Sequence, residues 1–369
     1  MINKFKKIVI KIGSSSIVNE KTNKIKKSWL KSICKDIASI HPNKKIIIVC
    51  SGAIALGAKI IKNNGSVRKL EDKQAAAAVG QIELANYWQQ NLKENKINAA
   101  QLLLTLNDSE VRRKYLNVRK TIQALHKKNI IPIINENDTV ATEEIRFGDN
   151  DRLAARVSQM IDADLLILLS DVDGLYFENP SQNKKAKKIK EVYTVDSSIE
   201  NIPGKNHSAL GSGGMSTKIW AAKICMNSGC SVVITNSNKK KPIESINKNN
   251  STWFYADKSP KTSRQQWLLN HLHPSGTVII DHGAMLAVKN NKSLLPAGVI
   301  EIKGNFNRGD VISIIDNNNT NVGIGVIAYD SNEAKKIIKK NSKEIKAILG
   351  YEGRDELIHK DDLVKTIYE

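Results

Sequence analysis

Short runs of almost uninterrupted hydrophobic residues, separated by longer helical patterns, constrain the fold of this 369-residue chain most strongly. Six such runs occupy residues 7–12, 44–50, 97–105, 129–135, 164–170 and 230–236. Strands covered on both faces have continuous apolar sequences, whereas strands with one solvated face alternate. Between the runs, apolar residues recur every three or four positions over 27–39, 72–93, 109–128, 150–162 and 216–228. This alternation predicts a three-layer α/β/α sandwich around a mainly parallel sheet.

The pattern changes after residue 258. The segment 259–275 is polar and contains prolines, which is typical of a linker or a short capping helix. Beyond it, strand-like runs are separated by glycine turns, at "GTVIID", "LLPAGVIEIKG", "GDVISIID" and "NVGIGVIAY". We therefore predict a large α/β domain over 1–258, a linker over 259–275, a small β-barrel-like domain over 276–355 and a tail over 356–369.

The chain is strongly basic, with 57 Lys and Arg against 37 Asp and Glu and a net charge of +20. A polyanionic partner such as RNA would account for this charge, and so would a lysine-rich composition along the whole chain. We favour composition, because the lysines are scattered whereas a nucleic-acid surface is expected to be clustered. The four cysteines form no C-x-x-C pair and have apolar neighbours, which favours buried free thiols over a zinc site.

No apolar run approaches the roughly 18 residues of a membrane span. The segment "MINKFKKIVIKIGSSS" contains a lysine within its apolar run and is followed by no small-residue cleavage site, so it is interpreted as a first strand and not as a signal peptide. We therefore expect a cytoplasmic protein with no membrane partner.

Small and polar residues follow four of the predicted strands. The sequences are "KIGSSS" after the first strand, "SGAIALG" after the second, "NENDTVAT" after the fourth and "SDVDGLY" after the fifth. Each one alone is typical of an ordinary turn. In an open parallel sheet, however, ligands bind beyond the carboxyl ends of the strands. Together, the four sequences predict one composite site.

Three further features have two interpretations each from the residues alone. Lys11 interrupts an apolar strand, so its ammonium group faces an anion or, on an edge strand, extends to solvent. In "FGDND", at 147–151, Asp149 or Asn150 is simply a helix N-cap, or the two aspartates and the asparagine together hold an amine, position lysines or face Mg²⁺. "GSGGMSTK", at 211–218, lacks the lysine position of a P-loop. It is either a glycine-rich anion site with Lys218 as a point charge, or a flexible loop with a serine cap.

These motifs, in this order and at this spacing, resemble those of the glutamate-phosphorylating members of the amino acid kinase family. The resemblance rests on "KIGSSS", "VCSGAIALG", "INENDTVAT", "FGDNDRLAA", "SDVDGLY" and "LGSGGMSTK". It covers essentially the whole chain, since "KSLLPAGV", "KGNFNRGDVI" and "ILGYEG" resemble a C-terminal PUA domain and tail. It implies ATP-dependent phosphorylation of the γ-carboxylate of L-glutamate, the first step of proline biosynthesis, with Mg²⁺ bridging the β- and γ-phosphates.

The same resemblance implies roles for individual residues. Lys11 and Lys218 would flank the transferring phosphoryl group, and Asp149 would hold the two lysines in place. Glutamate would be bound by Ser51, Gly52, Ala53, Asn135, Asp138 and Asn150. ATP would be bound by Lys11, Gly13, Ser170, Asp171, Ser212, Gly213, Gly214, Met215, Ser216, Thr217 and Lys218. No residue is assigned as a direct metal ligand.

The resemblance also implies a homo-oligomer, either a dimer or a tetramer, and feedback inhibition by proline through the loops at 107–115 or 143–148. Three alternatives remain: an RNA-binding protein acting through the PUA domain, a different amino acid kinase, and an inactive relative. The first domain has no RNA-modification motif, and "INENDTVAT" together with the C-terminal β domain counts against other amino acid kinases. Lys11, Asp149 and Lys218 count against an inactive relative.

Overall fold

The structure is a computed structural model of the chain, and it describes residues 2–19, 22–61, 69–141, 150–178, 180, 183, 185–202, 214–260 and 274–365. The chain divides into two compact units, Met1–Lys261 and Thr262–Glu369. Most of the predicted linker, 261–273, lies outside the described residues.

The larger unit contains the predicted alternation of strands and helices. Its strands are β1 Lys7–Ile12, β2 Val18–Asn19, β3 Lys24–Ile25, β4 Lys45–Cys50, β5 Asn98–Leu104, β6 Ile130–Glu136, β7 Leu165–Ser170, β8 Leu175–Tyr176, β9 Lys188–Ile189, β10 Glu191–Val192, β11 Ser231–Asn236 and β12 Ser251–Phe254. Its α-helices are α1 Ser14–Ile17, α2 Lys27–Ile40, α3 Ala53–Ile61, α4 Leu70–Lys93, α5 Leu106–Glu110, α6 Arg112–Lys127, α7 Asn150–Met160, α8 Ser197–Glu200 and α9 Met215–Asn227.

Eight strands form one sheet in the order β10-β12-β11-β7-β1-β4-β6-β5. The six strands with continuous apolar sequences are mutually parallel, whereas β12 pairs with β11 in the antiparallel direction. The mainly parallel sheet that the sequence predicts is therefore confirmed. Two-sided burial explains the lack of alternation, because both faces of these strands are covered.

The two faces of the sheet support separate hydrophobic cores. Alternate residues of β1 point to opposite sides, so Ile8 and Ile10 belong to one core and Val9 to the other. The first core is closed by α2, α3 and α4, and the second by α6, α7 and α9. Each fully buried isoleucine of these cores contributes roughly 1.5–3 kcal/mol. The result is the predicted three-layer sandwich.

The smaller unit has one sheet in the order β14-β13-β15-β16-β17. Its elements are β13 Gly276–Ile280, α10 His282–Lys289, β14 Val299–Gly304, β15 Val311–Asp316, β16 Asn321–Val326, α11 Ser331–Ile337, α12 Ile345–Leu349 and β17 Leu363–Lys365. All pairings are antiparallel except that of β13 with β15. Strand β17 lies within the segment predicted as a tail, so the sheet extends beyond residue 355. None of the described helices is both long and apolar enough to cross a membrane.

Candidate functional site

The carboxyl ends of five neighbouring strands meet at one edge of the larger sheet. These strands are β11, β7, β1, β4 and β6, which are adjacent in the sheet order. Beyond their ends lies a cleft of about 530 Å³. Its wall includes residues from all the strand ends that the sequence identified, namely Lys11, Gly13, Ser51, Gly52, Ala53, Asn135, Asp138, Ser170 and Asp171, and also Asn150 of α7 and Lys218 of α9. These strand ends therefore line one cleft.

Two lysines share one carboxylate at this cleft. Lys11 Nζ lies 2.6 Å from Asp151 Oδ1, and Lys218 Nζ lies 3.0 Å from Asp151 Oδ2. Asp151 is fully buried, and both lysines are only 6% exposed. Two ammonium groups are thus held next to each other around one carboxylate at the cleft. Ammonium groups in such an arrangement are suited to contact the oxygens of an anionic ligand.

Strand periodicity explains why Lys11 reaches this position. Lys11 lies on central strand β1, opposite Val49 on one side and Leu168 on the other, so it is not an edge-strand lysine. Its side chain shares a face with Val9, which packs in the core closed by α7 and α9. Those two helices carry Asp151 and Lys218. The anion-facing interpretation of Lys11 is thus the one that agrees with the structure.

The ionisation of Asp151 is set by competition between burial and the two lysines. Complete burial by itself would raise the pKa of the carboxyl group. The charges of Lys11 and Lys218, and the hydrogen bonds that they donate, outweigh burial and lower the pKa of Asp151 to about 2. Asp151 therefore carries a full negative charge at neutral pH.

The second half of "GSGGMSTK" forms the start of helix α9. Gly214 is the N-cap and makes no side-chain capping hydrogen bond, so the serine cap considered from the sequence is not present. Thr217 lies in the first turn, with Oγ1 at 2.8 Å from the Gly214 carbonyl oxygen and at 3.1 Å from Asp151 Oδ2. The hydroxyl group thus links the helix start to the carboxylate that both lysines contact.

Buried amide groups lie on the other side of the cleft. Asn150 Nδ2 donates to the Cys50 carbonyl oxygen at 2.6 Å and to Asn135 Oδ1 at 2.8 Å. Asn135 Nδ2 donates to Gln81 Oε1 at 2.7 Å. Asn135, Asn150 and Gln81 are all buried. The three side chains form a continuous network from helix α4 to the start of α7.

The turn between β4 and α3 approaches the cleft through its backbone. The Ser51 amide donates to the Ile12 carbonyl oxygen at 3.2 Å, which ties this turn to the end of β1. Gly52 has a φ of +117°, a conformation that residues with a side chain rarely adopt. A Cβ atom there would also lie 3.1 Å from Val18 Cγ2. Glycine at position 52 is therefore required by the turn.

Two polar residues follow β7 at the opposite end of the cleft from Asn135. Ser170 is buried, and its Oγ donates to Asp171 Oδ1 at 2.9 Å. Asp171 is exposed, and Asn236 at the end of β11 donates to its carbonyl oxygen at 2.9 Å. This side of the cleft offers hydroxyl and carboxylate oxygens, which are groups that suit a hard cation or a polar ligand.

The carboxylate that contacts both Lys11 and Lys218 among the described residues belongs to Asp151. Asp149, which was predicted for this role, lies outside the described residues, so its role stays a prediction. Ser212 and Gly213 also lie outside them. Gly214, Met215, Ser216 and Thr217 are described at the start of α9 but are not part of the cleft wall.

Sequence reasoning missed Glu136 and Gln81, and it included Asp151 only as one of the two aspartates of "FGDND". Asp151, Ala154, Ala155 and Ser158 are all buried on one face of α7, at the spacing of a helix. A charged residue on an otherwise small and apolar helix face was the signal that identifies Asp151. Glu136 is buried at the cleft wall, directly after Asn135. Gln81 lies on a long helix, and no local pattern connects it with Asn135.

Two segments, 107–115 and 143–148, were predicted to take part in inhibition by proline. Segment 143–148 lies outside the described residues. Segment 107–115 was expected to be a loop, but it spans helix α5 and the first turn of α6. The capping box of Thr105 and Asp108 explains why a helix begins here.

Comparisons with known proteins agree with this architecture. The family model described as "Amino acid kinase family" matches residues 6–236, and that of the PUA domain matches residues 276–349. A glutamate 5-kinase of Paramagnetospirillum magneticum is 47% identical over 363 residues, which are 97% of each chain. A glutamate 5-kinase of Agrobacterium fabrum is 49% identical over 362 residues, which are 98% of this chain and 93% of the relative.

Among solved structures, the carbamate kinase from Giardia lamblia bound to AMP-PNP has a similar fold. Its TM-score is 0.51 at 18% identity, and the match covers 69% of this chain and 99% of that chain. At this identity the similarity shows the fold alone.

Proposed function

We propose that this chain, which belongs to the amino acid kinase family and carries a PUA domain, phosphorylates L-glutamate. It transfers the terminal phosphoryl group of ATP to the side-chain carboxylate. The products are γ-glutamyl phosphate and ADP. We place the reaction in the cytoplasm, as the first step of proline biosynthesis. The names of the relatives at 47% and 49% identity support this choice of substrate.

One observation of the structure carries the proposal. Lys11 and Lys218, both buried, share the carboxylate of Asp151 and are held next to each other at the cleft. Phosphoryl transfer needs little covalent chemistry from a protein, because its main requirements are positioning and the stabilisation of charge on the phosphoryl oxygens. A preorganised pair of ammonium groups meets the second requirement.

The reaction needs no general base. The γ-carboxylate of glutamate has an ordinary pKa of about 4.3, so it is ionised at neutral pH. One of its oxygens attacks the γ-phosphorus, a P–O bond forms to that oxygen, and the bond from the γ-phosphorus to the bridging oxygen of ADP breaks. No proton has to move. Lys11 and Lys218 are proposed to contact the phosphoryl oxygens, and Asp151 is proposed to hold the two lysines.

The two ends of the cleft are proposed to bind the two substrates. We assign Ser51, Gly52, Ala53, Asn135, Asp138 and Asn150 to glutamate. Lys11, Gly13, Ser170, Asp171 and Lys218 at the cleft are assigned to ATP, as is the segment 212–217, which precedes Lys218 and is not part of the described cleft wall. Mg²⁺ would supply positive charge between the β- and γ-phosphates, since this ion commonly binds through substrate phosphates and few protein ligands. The oxygens of Ser170 and Asp171 are of the chemical kind that such an ion accepts.

The test is an assay that traps the acyl phosphate with hydroxylamine in the presence of ATP, Mg²⁺ and L-glutamate. The wild type should form γ-glutamyl hydroxamate, and Lys218→Ala should lose roughly 100-fold or more in kcat, because charge stabilisation of the transition state is removed. Lys223→Ala is the matched control: Lys223 lies on the same helix, is exposed and pairs with Glu200. Its rate should equal that of the wild type.

Two outcomes would contradict the proposal. A wild type that forms no hydroxamate with glutamate, but does so with aspartate, would show that the substrate is wrong. A fully active Lys218→Ala would show that the proposed role of this lysine is wrong. Thermal unfolding of each variant separates loss of chemistry from loss of the fold.

Proline is proposed as a feedback inhibitor. The candidate regions are 107–115, where α5 and α6 meet, and 143–148. The same assay with added proline tests this: the rate at subsaturating glutamate should fall as proline rises. A rate that does not change up to a large excess of proline would contradict the proposal.

A further inference from the structure

We propose that Gln81 is a positioning residue that fixes the hydrogen-bonding direction of Asn135 at the glutamate end of the cleft. Gln81 does not line the cleft, and no motif of the sequence points to it. The part of the inference that concerns glutamate rests on the proposed function. The part that concerns geometry rests on the hydrogen bonds alone.

Two backbone groups determine which way the asparagine amides face. The Cys50 carbonyl oxygen can only accept, and it lies 2.6 Å from the Asn150 side-chain nitrogen. The Glu136 backbone amide can only donate, and it lies 2.9 Å from Asn135 Oδ1. Asn150 must therefore present Nδ2 to Cys50, and Asn135 must present Oδ1 to Glu136.

The direction of Gln81 follows from these two constraints. With Oδ1 of Asn135 turned toward Glu136 and Asn150, its Nδ2 faces Gln81 at 2.7 Å. Only an acceptor can satisfy that N–H group, so Gln81 must present Oε1. The backbone fixes one end of the Asn135 amide and Gln81 fixes the other. Two fixed ends define the plane of the amide.

The network leaves a definite set of groups for a ligand. Both Nδ2 hydrogens of Asn150 are used, by Cys50 and by Asn135, so only its Oδ1 acceptor remains. Asn135 Oδ1 already accepts two hydrogen bonds, and one Nδ2 hydrogen remains as a donor. Because Asn135 and Asn150 both line the cleft, it offers an acceptor for an ammonium group and a donor for a carboxylate. An amino acid carries both groups.

Gln81 acts through its acceptor and not through its donor. It is 8% exposed, and among the described residues its Nε2 has no hydrogen-bond partner. A buried donor without a partner is costly. Gln81 Oε1 therefore accepts the hydrogen bond from Asn135 Nδ2, while Gln81 Nε2 has no partner among the described residues.

Close packing of two helices places Gln81 at this point. The neighbouring residue, Gly80, lies so close to α3 that a Cβ atom would be 1.9 Å from the Ala53 carbonyl oxygen. Asn135 shares a face of β6 with Ile131 and Ile133, whose core is the one closed by α3 and α4. Gln81 and Asn135 therefore meet behind the cleft wall.

The test compares Gln81→Leu, Gln81→Glu and Gln90→Leu by the hydroxamate assay. Gln81→Leu removes the acceptor, and we expect the KM for glutamate to rise roughly ten-fold while the KM for ATP stays unchanged. Gln81→Glu keeps an oxygen acceptor and should restore the KM for glutamate to within about three-fold of the wild type. Gln90 is exposed on the same helix, so Gln90→Leu should behave as the wild type.

The outcomes separate the inference from the proposed function. Equal rises in both KM values, no rise at all, or no rescue by Gln81→Glu would overturn the positioning role. Should the wild type fail to phosphorylate glutamate, the proposed function fails by itself, and a crystal structure of Gln81→Leu still tests the geometry. We expect the distance from Asn135 Oδ1 to Asn150 Nδ2 to exceed about 3.5 Å there. An unchanged distance would overturn the inference.

Discussion

Asp151 is the residue on which the charge balance of the cleft depends. It is fully buried and forms an ion pair with each of two buried lysines. Removing one partner of a buried ion pair lowers the free energy of unfolding by much more than the intact pair contributes, because the remaining charge loses its compensation. Without Asp151, two buried ammonium groups would lose this counter-charge. Both the fold and the chemistry should therefore be sensitive to this one carboxylate.

Asp151→Asn is expected to lower the free energy of unfolding by about 3–5 kcal/mol, because two buried ammonium groups lose their counter-charge. The variant should also lose activity, since the lysines no longer share a fixed anchor. Urea unfolding at pH 7 and the hydroxamate assay measure the two effects. Glu200→Gln is the control, as it breaks an exposed pair with Lys223 and should cost no more than about 1 kcal/mol. Equal losses in the two variants would contradict this account.

The lowered pKa of Asp151 predicts a specific dependence of stability on pH. The folded-state pKa is about 2, against an ordinary value of 3.8. A carboxyl group with a lowered folded-state pKa contributes stability above its unfolded-state pKa, and this contribution is lost as the pH falls through the folded-state value. The contribution is on the order of 2 kcal/mol.

The measurement is the difference in free energy of unfolding between the wild type and Asp151→Asn at several pH values. This difference should be constant above about pH 4 and should shrink between about pH 4 and pH 2. A difference that stays the same down to pH 2 would show that ionised Asp151 is not stabilised by the lysines.

At the scale of elements, the pairing of α3 with α4 positions one side of the cleft. A Cβ atom at Gly57 would lie 1.9 Å from the Ala76 carbonyl oxygen, and one at Gly80 would lie 1.9 Å from that of Ala53. The backbones of the two helices are therefore in direct contact. Because α3 begins directly after Ser51 and Gly52, any shift of α3 changes the glutamate end of the cleft.

Gly80→Ala should separate these two helices. We expect a loss of about 1–3 kcal/mol in the free energy of unfolding, because backbone must move to accommodate the methyl group, and a raised KM for glutamate. Gly283→Ala is the control, since the nearest atom to its added Cβ would be Asp281 Oδ1 at an ordinary 3.4 Å. Thermal unfolding and glutamate titrations check both variants. A Gly80→Ala protein as stable as Gly283→Ala would contradict the close approach.

The sequence predicts best those elements whose hydrophobic pattern is visible within the element itself. All six apolar runs became strands, and each observed boundary lies within one residue of its predicted one. Two-sided burial makes such strands apolar throughout, so the signal needs no long-range information. Helix α3 and strand β17 were not predicted, because a short apolar segment after a strand and three residues near the end of the chain have no distinct period.

The site was predictable in outline but not in its contacts. Parallel strand ends necessarily gather at one edge, which brought Lys11, Ser51, Asn135 and Ser170 to one cleft. The contact of Asp151 with both lysines depends on the phase of helix α7, which two aspartates two residues apart do not reveal by themselves. The contact of Gln81 with Asn135 joins residues 54 positions apart and has no local signature.

At the scale of the whole molecule, the positive charge is unevenly divided. Residues 276–355 contain eleven Lys and Arg and nine Asp and Glu, whereas the whole chain has a net charge of +20. Nearly all of the excess therefore lies outside the predicted PUA segment. Non-specific binding of nucleic acid is driven by phosphate contacts with clustered basic residues. This distribution does not favour RNA recognition by that segment.

Binding of structured RNA by the full chain should be weak, and it should vanish as the salt concentration is raised from roughly 50 to 200 mM. Non-specific contacts between scattered lysines and phosphates weaken strongly over this range. Fluorescence anisotropy with a labelled hairpin measures this. Binding that persists at 200 mM salt and competes only with one RNA structure would revive the alternative of an RNA-binding protein.

The predicted homo-oligomer can be tested at exposed apolar side chains. On α4, Ile82 is 75% exposed, and on α3, Ile60 is 63% exposed. Burial of such side chains between copies of the chain would stabilise an oligomer. Ile82→Glu should lower the mass found by sedimentation equilibrium from a dimer or tetramer toward a monomer. A wild type that is monomeric at all concentrations would contradict the prediction.

The central claim is that a side-chain carboxylate oxygen of glutamate becomes bonded to the γ-phosphorus of ATP. The most direct measurement uses L-glutamate labelled with ¹⁸O in its γ-carboxylate, unlabelled ATP and hydroxylamine. Hydroxylamine attacks the acyl carbon, so the phosphate that leaves keeps the oxygen that attacked phosphorus. Inorganic phosphate should contain one ¹⁸O atom and should form in step with the hydroxamate. Unlabelled phosphate, or phosphate released without glutamate, would contradict it.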